Sequence, residues 1–268
     1  MSLEVNGLSF SYGTRKVLDN VSFRVEAGEL LAVLGPNGVG KSTLFRCMLG
    51  LLRDYTGECK IDGESINNMN ARQLARRVAY IPQTHYPSFN FSVFDMVLMG
   101  TTARISAASS PGPRQKELAA AALERLGISH LSSRGYTQIS GGEQQLTLIA
   151  RALVQETRVL IMDEPTSSLD YGNQLRVMSE VRSLAHEGYT VIESTHNPDQ
   201  AFLYSDRILA LSEGIVAACG PPKEVLDEAL VSRLYGVDVK IFSLDSDKHR
   251  VCVPASPEVS SRYSDGAH

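Results

Sequence analysis

The stretch GPNGVGKST, residues 35–43, has the spacing GxxxxGK[ST], with Gly35, Gly40, Lys41 and Ser42 at the fixed positions. Its chemistry is phosphate binding. The glycines let backbone N–H groups from Asn37 through Gly38, Gly40 and Ser42 to Thr43 turn inward around phosphate oxygens, and a helix opening there adds its positive dipole end. Lys41 is a mobile point charge suited to β and γ oxygens, and Ser42 offers a hydroxyl to Mg²⁺. A second stretch, VLIMDEPT (159–166), sets Asp163 and Glu164 after four apolar residues. By itself an acid pair caps a strand end. Beside a phosphate loop, Asp163 reads as a holder of Mg²⁺ through water and Glu164 as the group that orients or polarises an attacking water. A third stretch, QISGGEQQL (138–146), carries neither a nucleophile beside a base nor a metal ligand. Ser140 and the N–H groups of Gly141 and Gly142, at a helix start, form an anion site with no phosphate loop of their own.

These groups need elements to hold them. EAGELLAVLG gives a turn and a short continuous apolar run, the mark of a strand buried on both faces, directly before the phosphate loop. The acid pair emerges from a similar run, at the strand end where open α/β sheets place ligands. Upstream, LEVNGLSFSYG and VLDNVSFRV alternate apolar and polar around the turn YGTRK and read as antiparallel strands. GECKIDGESI reads as a hairpin, and RRVAYIPQ as a strand ending at Pro82. From about Ser92 to Gly127 the pattern is helical, interrupted by the loop SAASSPGP. SGGEQQLTLIARALVQ reads as a helix, and YTVIEST and RILALSEGIV as further strands. The expected fold class is α/β. One domain is expected over residues 1–244, followed by a polar, Ser-rich tail over 245–268 that is loosely held. No internal repeat is evident.

Composition narrows the function. A chain of 268 residues with 43% hydrophobic content can bury a sizeable core. A net charge of -4 argues against a broad nucleic-acid surface, so no nucleic-acid partner is expected, while a single nucleotide needs only a local basic pocket. Cys47, Cys59, Cys219 and Cys252 show no CxxC spacing, which disfavours zinc and a disulfide framework and fits reduced cysteines of a cytosolic protein. The beginning MSLEVNGLSFSYG has no basic-then-apolar signal pattern, and no stretch approaches the ~18 apolar residues of a membrane span. Any membrane role is expected to come through a partner.

With GPNGVGKST, ISGGEQQ, VLIMDEPTSSLD and STHN in that order, the chain closely resembles the nucleotide-binding subunits of ATP-binding cassette transporters over about residues 2–240. The resemblance implies a P-loop NTPase core with a mostly parallel sheet, an N-terminal antiparallel β part and a helical subdomain over about 90–155 that carries the signature, Ser140-Gly141-Gly142. It implies a Mg²⁺-dependent ATPase in which a second copy of the chain, head to tail, sandwiches ATP between one phosphate loop and the other copy's signature. Tyr12 in FSYG resembles the aromatic that stacks on adenine, although a strand tyrosine is the plain alternative. Gln83 in YIPQ resembles the glutamine that touches Mg²⁺ and the attacking water. Asp170 in SSLD resembles the loop acid linking the two sites, with a helix N-cap as alternative. His196 in STHN resembles the switch histidine on the γ-phosphate. Three positions depart from the family's usual residues: Asn197 stands where Asp is common, Ile139 where Leu is common, and Val39 where a small residue stiffens the loop less.

FSVFDMVLMG and GPPKEVLDEALVSRLYGVDVKI look like the ATPase subunits of metal-chelate importers, for iron siderophores, haem, vitamin B12 or oxyanions. Such an importer implies two membrane-spanning permease subunits, a separate substrate-binding protein, and a peripheral place on the cytoplasmic face of the cell membrane. The region from Gln83 to Gly100 would push on a short cytoplasmic helix of each permease subunit. A non-transport cassette ATPase, switching a soluble complex mechanically, is the alternative. A plain P-loop kinase would lack SGGEQQ.

Overall fold

The computed structural model describes residues 1–83, 89–105, 110–246 and 249–255. Strands β1 (Leu3–Tyr12) and β2 (Arg15–Val25) precede β3 (Leu30–Leu34) and α1 (Lys41–Met48). Next come β4 (Thr56–Ile61), β5 (Glu64–Ser65), α2 (Ala71–Ala75) and β6 (Val78–Ile81). Helices α3 (Val93–Leu98), α4 (Pro113–Arg125) and α5 (Gly141–Leu153) lead to β7 (Val159–Met162), α6 (Tyr171–His186) and β8 (Thr190–Thr195). After α7 (Pro198–Tyr204) follow β9 (Arg207–Ser212), β10 (Ile215–Gly220), α8 (Pro222–Val225) and α9 (Glu228–Tyr235). The described chain ends with β11 (Val239–Leu244) and β12 (His249–Pro254).

The fold is mixed α/β around a sheet of order β10-β9-β3-β8-β7-β6. Every neighbour pair from β9 to β6 is parallel, and β10 closes one edge antiparallel. RILALSEGIV therefore spans two strands, which turn at Glu213 and Gly214, both at positive φ. All residues of β3, β7 and β8 are buried, because the second sheet with α1 covers one face and helices the other, and the continuous apolar runs of β3 and β7 follow from that. The strand order has a functional consequence. β3, β8, β7 and β6 lie side by side, so the segments after them deliver the phosphate loop, His196, the acid pair and Gln83 along one carboxyl edge.

A second sheet, β2-β1-β4-β5, is antiparallel and carries the alternation read from sequence. Its Leu3, Val5, Leu8, Phe10 and Leu18 pack in one cluster with Leu44, Phe45 and Met48 of α1, which fixes the helix behind the phosphate loop. On the other face of the parallel sheet, residues of α3, α4, α5 and α6 share a core with Leu160, Met162 and Val191. Gly40 caps α1 at φ 114, where a Cβ would meet Leu18 Cδ2 at 3.0 Å and Val17 O at 3.1 Å, so a side chain there is both strained and crowded.

The tail expected from residue 245 needs correcting over residues 249–254. These pair with β11 in a regular hairpin from Val239↔Pro254 to Leu244↔His249. The hairpin packs on α7, and Cys252 N donates to Asp199 Oδ1 at 2.7 Å. The polar residues before it hide the alternation in HRVCVP, and only docking on α7 gives the strand a place to bury one face. Residues 256–268 lie outside the described residues.

Candidate functional site

Lys41 is 5% exposed, and its Nζ donates to Gly35 O (2.8 Å) and Pro36 O (3.1 Å) while lying 3.4 Å from Glu164 Oε1. Burial pushes its ammonium below the ordinary value, with Glu164 and Asp163 pulling upward. A cation held against backbone carbonyls and a carboxylate in a shielded place is a charge that anionic oxygens can engage. Asn37, Gly38, Gly40, Lys41, Ser42 and Thr43 line one cleft together with Val17, Gln83 and Glu164. Val17 was not among the residues expected from sequence, and a β-strand valine carries no signal that would single it out.

Glu164 is the hub. Its side chain is about one-tenth exposed, and besides Lys41 it receives Gln83 Nε2 on Oε2 at 3.2 Å and has His196 Nδ1 at 3.4 Å from the same oxygen. Gln83 Nε2 also donates to Ser167 Oγ at 3.1 Å. The Glu164 backbone is left-handed, φ 44, an uncommon conformation for a glutamate. Ser194 bridges the acid pair: it accepts from Glu164 N at 2.9 Å and donates to Asp163 Oδ1 at 2.6 Å. Asp163 N donates to Ile81 O at 2.9 Å, tying the acid pair to β6. Sequence reading gave Ser194 no role. Its place two residues before the histidine on a strand beside β7 is the signal that would have found it.

The donor set suits a hard divalent cation. Ser42 brings a hydroxyl and Asp163 a carboxylate 6% exposed, and Gln83, its amide nitrogen spent on Glu164 and Ser167, has a carbonyl oxygen to offer. Among the described residues no group of three or more His, Cys, Asp or Glu could hold a metal by itself. Mg²⁺ bound to few protein oxygens, with phosphate and water completing its shell, fits such a set.

The signature lies elsewhere. Ser140 N-caps α5 in a capping box, its Oγ accepting from Glu143 N (3.4 Å) and donating to Glu143 Oε2 (2.8 Å). Hydrogen bonds from Ser140 hold the Glu143 carboxyl below its ordinary range. Gly142 is packed so closely that a Cβ would sit 2.3 Å from Asn173 Oδ1. Asn173 in turn donates to Asp170 through N (2.9 Å) and Nδ2 (2.7 Å), so Asp170 is the N-cap of α6. Gly141 lines a neighbouring cleft with Tyr136, Gln144 and Leu169, which meets the phosphate cleft at Gln83 and Glu164, while none of residues 140–142 lines the phosphate cleft itself. Tyr12, 46% exposed and edge-on to Phe10 at 4.8 Å between centroids, stands at the end of β1 outside the phosphate cleft.

Two of the three departures have visible consequences. Asn197 caps α7, accepting from Asp199 N (2.9 Å) and Gln200 N (3.3 Å), a role an aspartate would fill equally. Ile139 is buried in the core beside α5. A larger apolar cleft opens between Leu49, Leu51, Leu74, Met99 and Ala103, with Arg53 and Gln155 at its walls. It borders the segment from Gln83 to Gly100, of which residues 84–88 lie outside the described residues.

A P-loop, an acid pair at a parallel strand end and their common cleft define a P-loop nucleoside triphosphatase fold. A family model described as ABC transporter matches residues 18–167, and the chain belongs to that family as an ATP-binding subunit. It is 38% identical over 249 residues to an uncharacterized ABC transporter ATP-binding protein of Haemophilus influenzae, covering 93% of this chain and 95% of the relative. It is 38% identical over 228 residues to the hemin import ATP-binding protein HmuV of Nocardia farcinica, covering 85% and 78%. Among solved structures, an ABC transporter described as of metal-chelate type, in an inward-facing conformation, superposes with a TM-score of 0.83 at 31% identity, covering 95% of this chain and 98% of that one. The ADP conformation of an ATP-binding cassette superposes at 0.80, with 28% identity over 88% and 98%. Membership carries ATP binding, ATPase activity and a place in a transporter complex with membrane permease subunits. Among the described residues no helix is long and apolar enough to cross a membrane.

Proposed function

We propose that the chain is the Mg²⁺-dependent ATPase subunit of a metal-chelate importer, with haem, ferric siderophores and cobalamin as the candidate cargoes. The carrying observation is the gathering of Lys41, Gln83 and His196 around the one carboxylate of Glu164. Ser42, Gln83 and Asp163 would hold Mg²⁺, which when bound supplies charge neutralisation at the phosphates. Backbone N–H groups from Asn37 to Thr43 and the Lys41 ammonium hold the triphosphate, and Tyr12 stacks on adenine. Glu164 takes a proton from water as its oxygen attacks the γ-phosphorus. The bond to the bridging oxygen breaks, and ADP and phosphate leave. His196 contacts the γ-phosphate. The relatives named for hemin import and the neighbour of metal-chelate type support the cargo class.

In the same reading two copies meet head to tail, so that Ser140, Gly141 and Gly142 of one serve the nucleotide of the other, with Asp170 between the sites. That none of Ser140, Gly141 and Gly142 lines the cleft of their own chain's phosphate loop supports it. The dimer would sit on the cytoplasmic face of the cell membrane against two permease subunits, a short helix of each resting in the apolar cleft by Met99, and a separate binding protein would deliver cargo. ATP closes the dimer and hydrolysis reopens it.

Two experiments test this. Mixing a Lys41→Ala chain with a Gly141→Asp chain gives two dead homodimers and one mixed dimer with a single intact site. About a quarter of parental turnover should therefore return if the sites act independently. Because coupled sites need not turn over singly, occlusion of ATP is the decisive readout, with Glu164→Gln added to both chains. One ATP per mixed dimer is expected, and none, with crosslinking proof of the dimer, overturns the trans arrangement. For the cargo, cells carrying only the Lys41→Ala chain should lose accumulation of haem, ferric siderophore or cobalamin. Unchanged uptake of all three would favour the soluble mechanical switch.

A further inference from the structure

Glu193 lies in the middle of β8, fully buried, in register with Met162 of β7 and Ala32 of β3. Alternation along the strand turns it away from its neighbour Ser194, which holds the acid pair, and toward the helical side. There Gln200 of α7 donates through Nε2 to Glu193 Oε1 (3.3 Å) and Oε2 (3.2 Å), with Met178 Sδ of α6 at 3.4 Å from the same nitrogen. Among the described residues no lysine or arginine acts on this carboxyl: the influences on it are its own burial and Gln200, and the titratable side chain that senses it is Tyr204 of α7. A buried acid without a cation is costly, and the core of an ATPase does not need one.

We propose that Glu193 is a positioning residue for ATP hydrolysis, setting the Gln200 amide so that it tethers Thr166 and holds the loop of Glu164 against the loop of His196. The proposal rests on the hydrolytic roles given to Glu164 and His196 above. An amide can present either end to a neighbour. Because Glu193 accepts from Nε2, the opposite end of the amide, Oε1, faces Thr166 and accepts its Oγ1 hydrogen at 2.9 Å. Thr166 stands two residues after Glu164, in the loop where Ser167 N donates to Glu164 O and Gln174 Nε2 donates to Thr166 O. Gln200 stands in the first turn of α7, which begins directly after His196 and its cap Asn197. One chain of side chains from the sheet thus joins the two catalytic loops. Its slack would fall on Glu164, two residues before Thr166 in the same loop.

Burial pushes the Glu193 carboxyl up to about 8, so it is mainly neutral at pH 7 and a glutamine mimics it in shape, charge and acceptor. The sign for stability follows. A raised folded-state value contributes stability that is present below the unfolded value near 4.5 and is lost as pH rises through about 8. Glu193→Gln should therefore melt with the parent at pH 5 and above it at pH 8.

The catalytic test uses steady-state turnover of MgATP by the full chain with Glu193→Leu, Glu193→Gln, Gln200→Leu and Thr166→Val. Misplacing a base by a fraction of an ångström without touching the phosphate cleft should lower kcat about tenfold and leave KM within about twofold. This is expected for Glu193→Leu, Gln200→Leu and Thr166→Val, with Glu193→Gln near parental. The double variant Glu193→Leu/Thr166→Val should be no slower than either single one, as members of one tether are not additive. Parental kcat in Thr166→Val overturns the proposal even if Glu193→Leu fails to fold. Additive losses, or a Glu193→Gln enzyme as slow as Glu193→Leu, overturn it as well. A parent that does not hydrolyse MgATP would instead remove the ATPase reading beneath it.

Discussion

Replacing Lys41 by alanine is expected to lower MgATP turnover by roughly 10²–10³-fold, the scale of removing one preorganised charge partner from a transition state. Lys41 is the cation within reach of both the phosphate loop carbonyls and Glu164, and it is nearly buried, so water cannot replace its field cheaply. Binding should weaken too, because the β and γ oxygens meet this charge before and during transfer. The variant also strips Glu164 of its ammonium neighbour, leaving Gln83 and His196. Thermal melting should accompany the phosphate-release assay, run with and without EDTA. A folded variant with undiminished release would remove the phosphate-loop assignment, and release by the parent that EDTA does not suppress would remove Mg²⁺.

Glu164→Gln is the second large effect, with an expected loss of about 10²–10⁴-fold in turnover, the range of a lost general base. The amide keeps the size of the carboxyl and one of its two acceptors, which can still serve Gln83 Nε2 while Lys41 turns to the phosphates, and Gln83 keeps its bond to Ser167. ATP affinity should stay near parental. Binding energy that hydrolysis no longer releases then accumulates in the ATP-bound assembly. Size-exclusion chromatography with ATP should show a monomer-to-dimer shift for the variant and little for the parent. Normal turnover would count against the base, and a persistent monomer at high ATP and protein concentration against the sandwich.

The sequence by itself determined the family and the elements that carry its motifs. GPNGVGKST, ISGGEQQ and MDEPT are local devices: a loop, a cap and a strand end do their chemistry through backbone geometry that neighbouring residues impose, so they are legible along the chain. The continuous runs LLAVL and VLIM likewise announced strands covered on both faces. What tertiary structure decided is everything that depends on strands meeting out of chain order. The order β3-β8-β7-β6 brings Lys41, His196, Glu164 and Gln83 to one edge, and it hands Asp163 to Ser194 from a strand 31 residues away. It also turned HRVCVP from expected tail into a strand, since α7 supplies the face that its short alternation could not announce. Glu193 is the sharpest case. In YTVIEST it is one of several polar residues around Val191 and Ile192, and only the approach of α7 gives its carboxyl a partner, because a buried acid's character is set by what packs against it.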